Sequence, residues 1–207
     1  MTFPMPFTPP SINPIITFLG AFSNSASGLS IGAARADRIV VVAAQREDDT
    51  NTTCPLPTIN GAAPTVVYQG SAPDNMCIGY AVVSTGTTVD IAGGQTRTAA
   101  WMVTGVTTLD QTITNTGTGT AIDLTGTMPS KRGAIIGIAR SRSSMGTSSA
   151  SGSGTVTGVV KDTSSTSGGG NSGWVAASGY TSGGSGTLSL SQTNSYSSGI
   201  AAAGVFK

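Results

Sequence analysis

The chain has 207 residues, of which 9% are charged, and a formal net charge of +1. That length suits one domain with a sizeable core, and so balanced a charge argues against the basic stripe that general nucleic-acid binding requires. With 38% hydrophobic residues and little charge, the composition is not that of a disordered chain.

Few charges combined with many Ser, Thr, Gly and Val fit an all-β protein with polar, uncharged faces. So thinly charged a surface predicts self-association. The charges are also unevenly placed. Residues 1–127 hold four basic and eight acidic side chains, and residues 128–207 hold six basic and one acidic. Head-to-tail contact between subunits could use that asymmetry, or the charges are scattered on loops, where exposed pairs are weak.

In chain order, residues 1–19, "MTFPMPFTPPSINPIITFL", come first. Proline fixes φ and removes donors, so this stretch reads as an extended arm. Its apolar residues Phe3, Phe7, Ile15, Ile16 and Phe18 are candidates for docking on the parent domain or a neighbour. The start has no basic segment before its apolar residues, which is not a signal-peptide pattern. No apolar stretch approaches the ~18–20 residues of a membrane span. The expectation is a chain made in a cytoplasm, with no membrane partner.

Strand signals then recur between Gly, Pro, Asn and Ser. "GLSIG" places Leu29 and Ile31 on one face. "DRIVVVAAQ", "NMCIGYAVV" and "RGAIIGIAR" are apolar runs suited to strands covered on both faces. "LPTING" ends in Asn60-Gly61, a turn pair. "TTVDIAG" and "TAIDLTG" alternate, with Asp90 and Asp123 outward. The stretch "SSASGSGTVTGVVKDTSSTSGGGNSG" (148–173) resembles a tether, yet "TVTGVV" within it alternates, with Val156 and Val160 on one face. Beyond it, Trp174, Ala176 and Tyr180 share a face, Leu188 and Leu190 another, and Ile200, Ala202 and Phe206 a third. That period of two is strand behaviour. It leaves the Gly/Ser clusters 146–154, 163–173 and 181–186 as loops. About a dozen short strands predict an all-β antiparallel β-sandwich, jelly-roll-like, with the Pro-rich arm at 1–19 and a single sandwich domain at 20–207.

Catalytic signals are few. The chain has no histidine, which removes a Ser-His-Asp triad and most zinc sites. No phosphate-loop or dinucleotide motif precedes a helix. Glu47 is the only glutamate, so a paired-carboxylate site would have to draw on aspartates. With Asp48 and Asp49 it could offer oxygens to Ca²⁺, or form a solvated loop; its spacing fits no defined calcium loop. Trp101, Trp174, Tyr68, Tyr80, Tyr180 and Tyr196 would make a sugar-stacking platform if exposed together, or else they pack in the core. "SKR" (130–132) and "ARSR" (139–142) read as solvated basic patches. Asn51-Thr52-Thr53 matches a glycosylation sequon, which means little without a secretory signal. Cys54 and Cys77 could close one disulfide within a chain, link two chains, or stay free. The expectation is therefore no enzyme, no cofactor and no metal.

The ordered string "GAARADRIVVVAAQ", "PTINGAAPTVVYQG", "MCIGYAVVSTGTTVDIAG", "AAWMVTGV" and "SGWVAASGYTSGGSGTLSLSQTNS…GIAAAGVFK" carries a resemblance. It resembles a loose group of β-sandwich proteins encoded by tailed bacteriophages and prophages, many from alphaproteobacterial hosts. There, a "GAADADRRVVVAV"-like strand is followed by an "ING"-like turn and a small-residue C-terminal strand. The resemblance covers roughly residues 25–207 and leaves out the arm. It implies a non-enzymatic virion structural protein, with no catalytic residues to carry over. The expected role is capsid decoration or another head-associated function. Partners would be copies of itself, in a trimer, and the major capsid protein or other virion proteins. The alternative is a tail fibre, collar or tail-tip protein that binds host carbohydrate.

Overall fold

A computed structural model describes residues 13–46, 53–71, 75–93, 97–129, 132–142, 146–166, 173–194, 196 and 199–207. Among these, every regular element is a β-strand: β1 (Ile15–Phe22), β2 (Ala26–Ser30), β3 (Arg38–Gln45), β4 (Thr58–Ile59), β5 (Thr65–Gln69), β6 (Met76–Val82) and β7 (Thr88–Ala92) in the first half, and β8 (Arg97–Thr104), β9 (Leu109–Gly117), β10 (Ala121–Met128), β11 (Gly133–Ser141), β12 (Ser148–Thr166), β13 (Gly173–Gln192) and β14 (Gly199–Phe206) in the second.

These strands form three antiparallel sheets. The first runs β1-β8-β3-β6-β5, the second β10-β13-β11-β14-β9 with β12 paired to β13, and the third β2-β7-β4. The first and second sheets share a core. Ile39, Val41, Ile78, Trp101 and Val103 of the first pack with Ile136, Ile138, Trp174, Ala202 and Phe206 of the second. The opposite face of the first sheet, through Val40, Val42 and Ala100, packs with Ile59, Val89 and Ile91 of the small third sheet. β3 is therefore covered on both sides, and all eight of its residues are buried. That is why it reads as a continuous Val/Ala run with no alternation. β11 and β14 are buried throughout for the same reason.

The second sheet curls on itself into a nearly closed, barrel-like form. One half of β13 pairs with β11 and the other half with β10. This brings β10 round toward β9, and side chains span the gap between them. Gln111 donates through Nε2 to the carbonyl of Thr127 at 2.6 Å, and Asn115 through Nδ2 to that of Asp123 at 2.9 Å. Ile122, Leu124, Ile135, Leu188, Leu190 and Val205 fill the space enclosed.

The Gly/Ser clusters are the main correction to the sequence reading. Residues 148–154 and 163–166 lie within β12, and 181–186 within β13, so they are strand, with Ser182 and Gly183 at the bend where β13 changes partner. Small side chains are what a long hairpin bent across two partners can accommodate. Bulges fall at Gly154/Val156, Thr157/Val160 and Lys161/Thr163. Each shifts the phase of the pleat, so Val156 is buried while Val160 is 57% exposed, and the two do not share an environment. The Asn60-Gly61 turn forms as the pair predicts. Both residues have positive φ, 51° and 75°, and Ile59 and Ala62 exchange backbone hydrogen bonds across it.

Arg38 ties the third sheet to the first. It is fully buried at the start of β3. Its guanidinium donates to the carbonyls of Val83, Ile31, Gly32, Ala33, Thr85 and Gly86 at 2.7–3.1 Å. One side chain thus satisfies the turns on either side of the strand.

Candidate functional site

Phe3 and Phe7 of the arm lie outside the described residues, as do Glu47, Asp48, Asp49 and Asn51. The described end of the arm enters β1, which crosses the 19/20 boundary suggested by the sequence and forms an outer strand of the first sheet. Ile16 and Phe18 pack on the shared core, with the Phe18 ring 5.7 Å from that of Trp101. Ile15 points outward at 52% exposure.

Cys54 and Cys77 come together inside one chain, both free and fully buried, with their sulfurs 3.2 Å apart. Burial rules out a link between folded chains. The adjacent Cys54 thiol, then burial, pushes the Cys77 thiol well above its ordinary value.

The stacking platform does not form. Trp101, Trp174 and Tyr196 are buried. Tyr68 and Tyr80 lean on the shared core. Burial also pushes the Tyr196 phenol far up. The basic patches divide. Arg140 of "ARSR" is not solvated: alternation along β11 turns it to the inner face, where it is 2% exposed. Its position in a two-faced strand is the signal the sequence reading missed. Arg132 of "SKR" does reach solvent, in a cleft.

That cleft encloses about 460 Å³ and is open on one side. Its walls come from three places: Asn13 and Pro14 before β1, Arg132 before β11, and the middle of the β12–β13 hairpin with Thr157, Tyr180, Thr181 and Ser182. Arg132 donates through Nη1 to Oδ1 of Asn13. Among the described residues it makes this one bond and no ion pair. Tyr180 is 36% exposed. Gly158 holds φ +59°, and a Cβ there would stand 2.9 Å from Cδ2 of Tyr180, so glycine leaves the ring its place. Thr181 is 2% exposed, and its hydroxyl has no partner. The cleft thus combines one cation, one aromatic ring and several hydroxyls. Tyr180 and Arg132 stand far apart in the chain, and no local spacing brings residues 132 and 180 together.

Among the described residues, no group of three or more His, Cys, Asp or Glu is placed to hold a metal ion. No helix there is long and apolar enough to cross a membrane. Comparison with protein families, curated proteins and solved structures finds no match to this chain.

Proposed function

We propose that this chain is a non-enzymatic structural protein of a tailed-bacteriophage particle, a decoration or other head-associated protein that stabilises the capsid by bridging neighbouring subunits. The observation that carries this reading is the pair of uncharged outer strands of the first sheet, the second of them capped at one point where Thr112 Oγ1 donates to the Val67 carbonyl at 3.0 Å. β1 (IITFLGAF) and β5 (TVVYQ) contain no charged residue, and each exposes an apolar side chain, Ile15 and Val66, at 52% and 50%. Lone soluble proteins guard such edges with charge; an assembling protein uses them. The resemblance carried by "GAARADRIVVVAAQ" and its companions supports the same class. In this proposal the core shared by the first and second sheets makes the fold a β-sandwich of jelly-roll style, whose second sheet has curled. Docking falls to the residues ahead of β1 together with the exposed Ile15, since Ile16 and Phe18 pack on the chain's own core; copies assemble as a cyclic trimer, and weak contacts gain strength by repetition across the capsid lattice.

Protein stoichiometry in gradient-purified particles tests this, by mass spectrometry against the major capsid protein. Copies on the order of hundreds are expected for a decorated lattice. Absence from particles overturns the proposal. A few to a few dozen copies favour the second reading, a tail fibre, collar or tail-tip protein that binds host carbohydrate. The buried tryptophans weigh against that reading, and the cleft at Arg132 and Tyr180 supports it.

A further inference from the structure

We infer that the cleft between the β12–β13 hairpin and the entry to β1 is a binding site for a carboxylated saccharide. This deepens the carbohydrate reading and goes beyond the lattice role. Three features point to that ligand class. The Arg132 guanidinium faces the cleft with donors beyond its bond to Asn13, and a guanidinium fork matches a carboxylate in two parallel bonds. The Tyr180 ring, held in place over Gly158, offers an apolar face with a polar tip, suited to the C–H face of a pyranose. The wall between them is lined by threonine and serine, whose hydroxyls both donate and accept, as those of a sugar do. Thr157 and Ser182 add further hydroxyls around the opening. The volume of about 460 Å³ lies within the range of small-ligand sites. A bare phosphate would use the cation but leave the ring and the hydroxyl-lined wall without a role, so the acidic sugar is the better fit.

The test uses the full chain with three probes: digalacturonate, the neutral disaccharide lactose, and inorganic phosphate. Binding is read by saturation-transfer NMR and calorimetry. Digalacturonate is expected to bind at least about tenfold more tightly than lactose, the difference one charge-assisted hydrogen-bond pair supplies. Arg132→Gln should bring digalacturonate down to the level of lactose, and Tyr180→Ala should weaken both sugars. Thermal melts of both variants matching the parent establish that the fold is intact. Equal binding of acidic and neutral sugars, an unaffected Arg132→Gln variant, full displacement of the sugar by equimolar phosphate, or no saccharide binding would each overturn the inference. Because the isolated chain is used, failure here leaves the particle stoichiometry, and the readings that rest on it, untouched.

Discussion

Arg38 carries a charge into a strand that is otherwise apolar except for Gln45 at its far end. Its six bonds are all to backbone carbonyls, which it collects from two turns. Arg38→Leu therefore strands those carbonyls. At roughly 1–3 kcal/mol for each buried acceptor left unpaired, the expected loss is about 3 kcal/mol or more, read as a fall in the urea midpoint. Arg38→Lys, with three donors instead of five, should fall between the two. The cysteine pair gives a second residue-scale prediction. Refolding the urea-unfolded chain in oxidised glutathione should convert the Cys54 and Cys77 thiols to one intrachain disulfide, with one oxidised glutathione consumed and two reduced glutathiones released per chain. The product is detected by mass as the loss of two hydrogens and should be more stable by about 3 kcal/mol. Cys54→Ser abolishes the product; a disulfide-linked dimer in place of it would contradict the buried geometry. The thiols should also resist alkylation until the chain is unfolded. Since Cys77 is raised in the folded state, its contribution to stability is complete below the unfolded thiol value of about 8.5 and is lost as pH rises beyond it.

At the scale of elements, β12 is held to the rest of the molecule by more than its ladder with β13. Trp101 of β8 donates through Nε1 to Oδ2 of Asp162 on β12 at 2.8 Å, and Arg97 reaches the carbonyl of Ser165 at 3.1 Å. These bonds cross from the first sheet to an edge strand of the second. Burial raises the Asp162 carboxyl above its ordinary value, against the pull of the bonds from Trp101 and Ser178. The native state therefore holds this proton more tightly than the unfolded chain. The resulting stability is complete below the unfolded carboxylate value of about 3.9 and is lost as pH rises through the folded one. Asp162→Asn keeps an acceptor for Trp101 and removes the buried charge. It should be at least as stable as the parent at neutral pH, with a flatter dependence above pH ~4. Asp162→Leu leaves the Trp101 N–H unpaired and should cost about 1–3 kcal/mol. Tryptophan fluorescence during urea unfolding across a pH series measures both variants.

At the scale of the whole molecule, three sheets stack so that two buried clusters lie on opposite faces of the first sheet and a third fills the curled second sheet. In the proposed assembly the uncharged outer strands of the first sheet are the contact surfaces. A charge on an outer strand should then act on assembly more than on folding. Ile15→Lys and Val66→Lys are expected to lower self-association in sedimentation velocity while leaving the thermal midpoint within the small range of surface substitutions, about ±0.5 kcal/mol. Unchanged sedimentation in both variants would remove the edges as assembly surfaces.

The sequence by itself determined the class of structure and much of its register. Val89, Ile91, Ile122, Leu124, Leu188 and Leu190 turn inward as their alternation requires, because a strand's side-chain period is fixed by the backbone. The apolar runs at β3 and β11 announced strands with no solvent face. Tertiary structure alone decided the rest. The Gly/Ser segments of β12 and β13 look like loops because composition cannot show a partner strand, and bulges there reset which valine is buried. Arg38 and Arg140 look like surface charges until the layers above and below close over them. Cys54 meets Cys77 across 23 positions, and Arg132 joins Tyr180 in one cleft across a strand and a hairpin. Contacts between residues so far apart in sequence depend on which strands pair, and pairing is a property of the whole sheet that no short stretch of sequence contains.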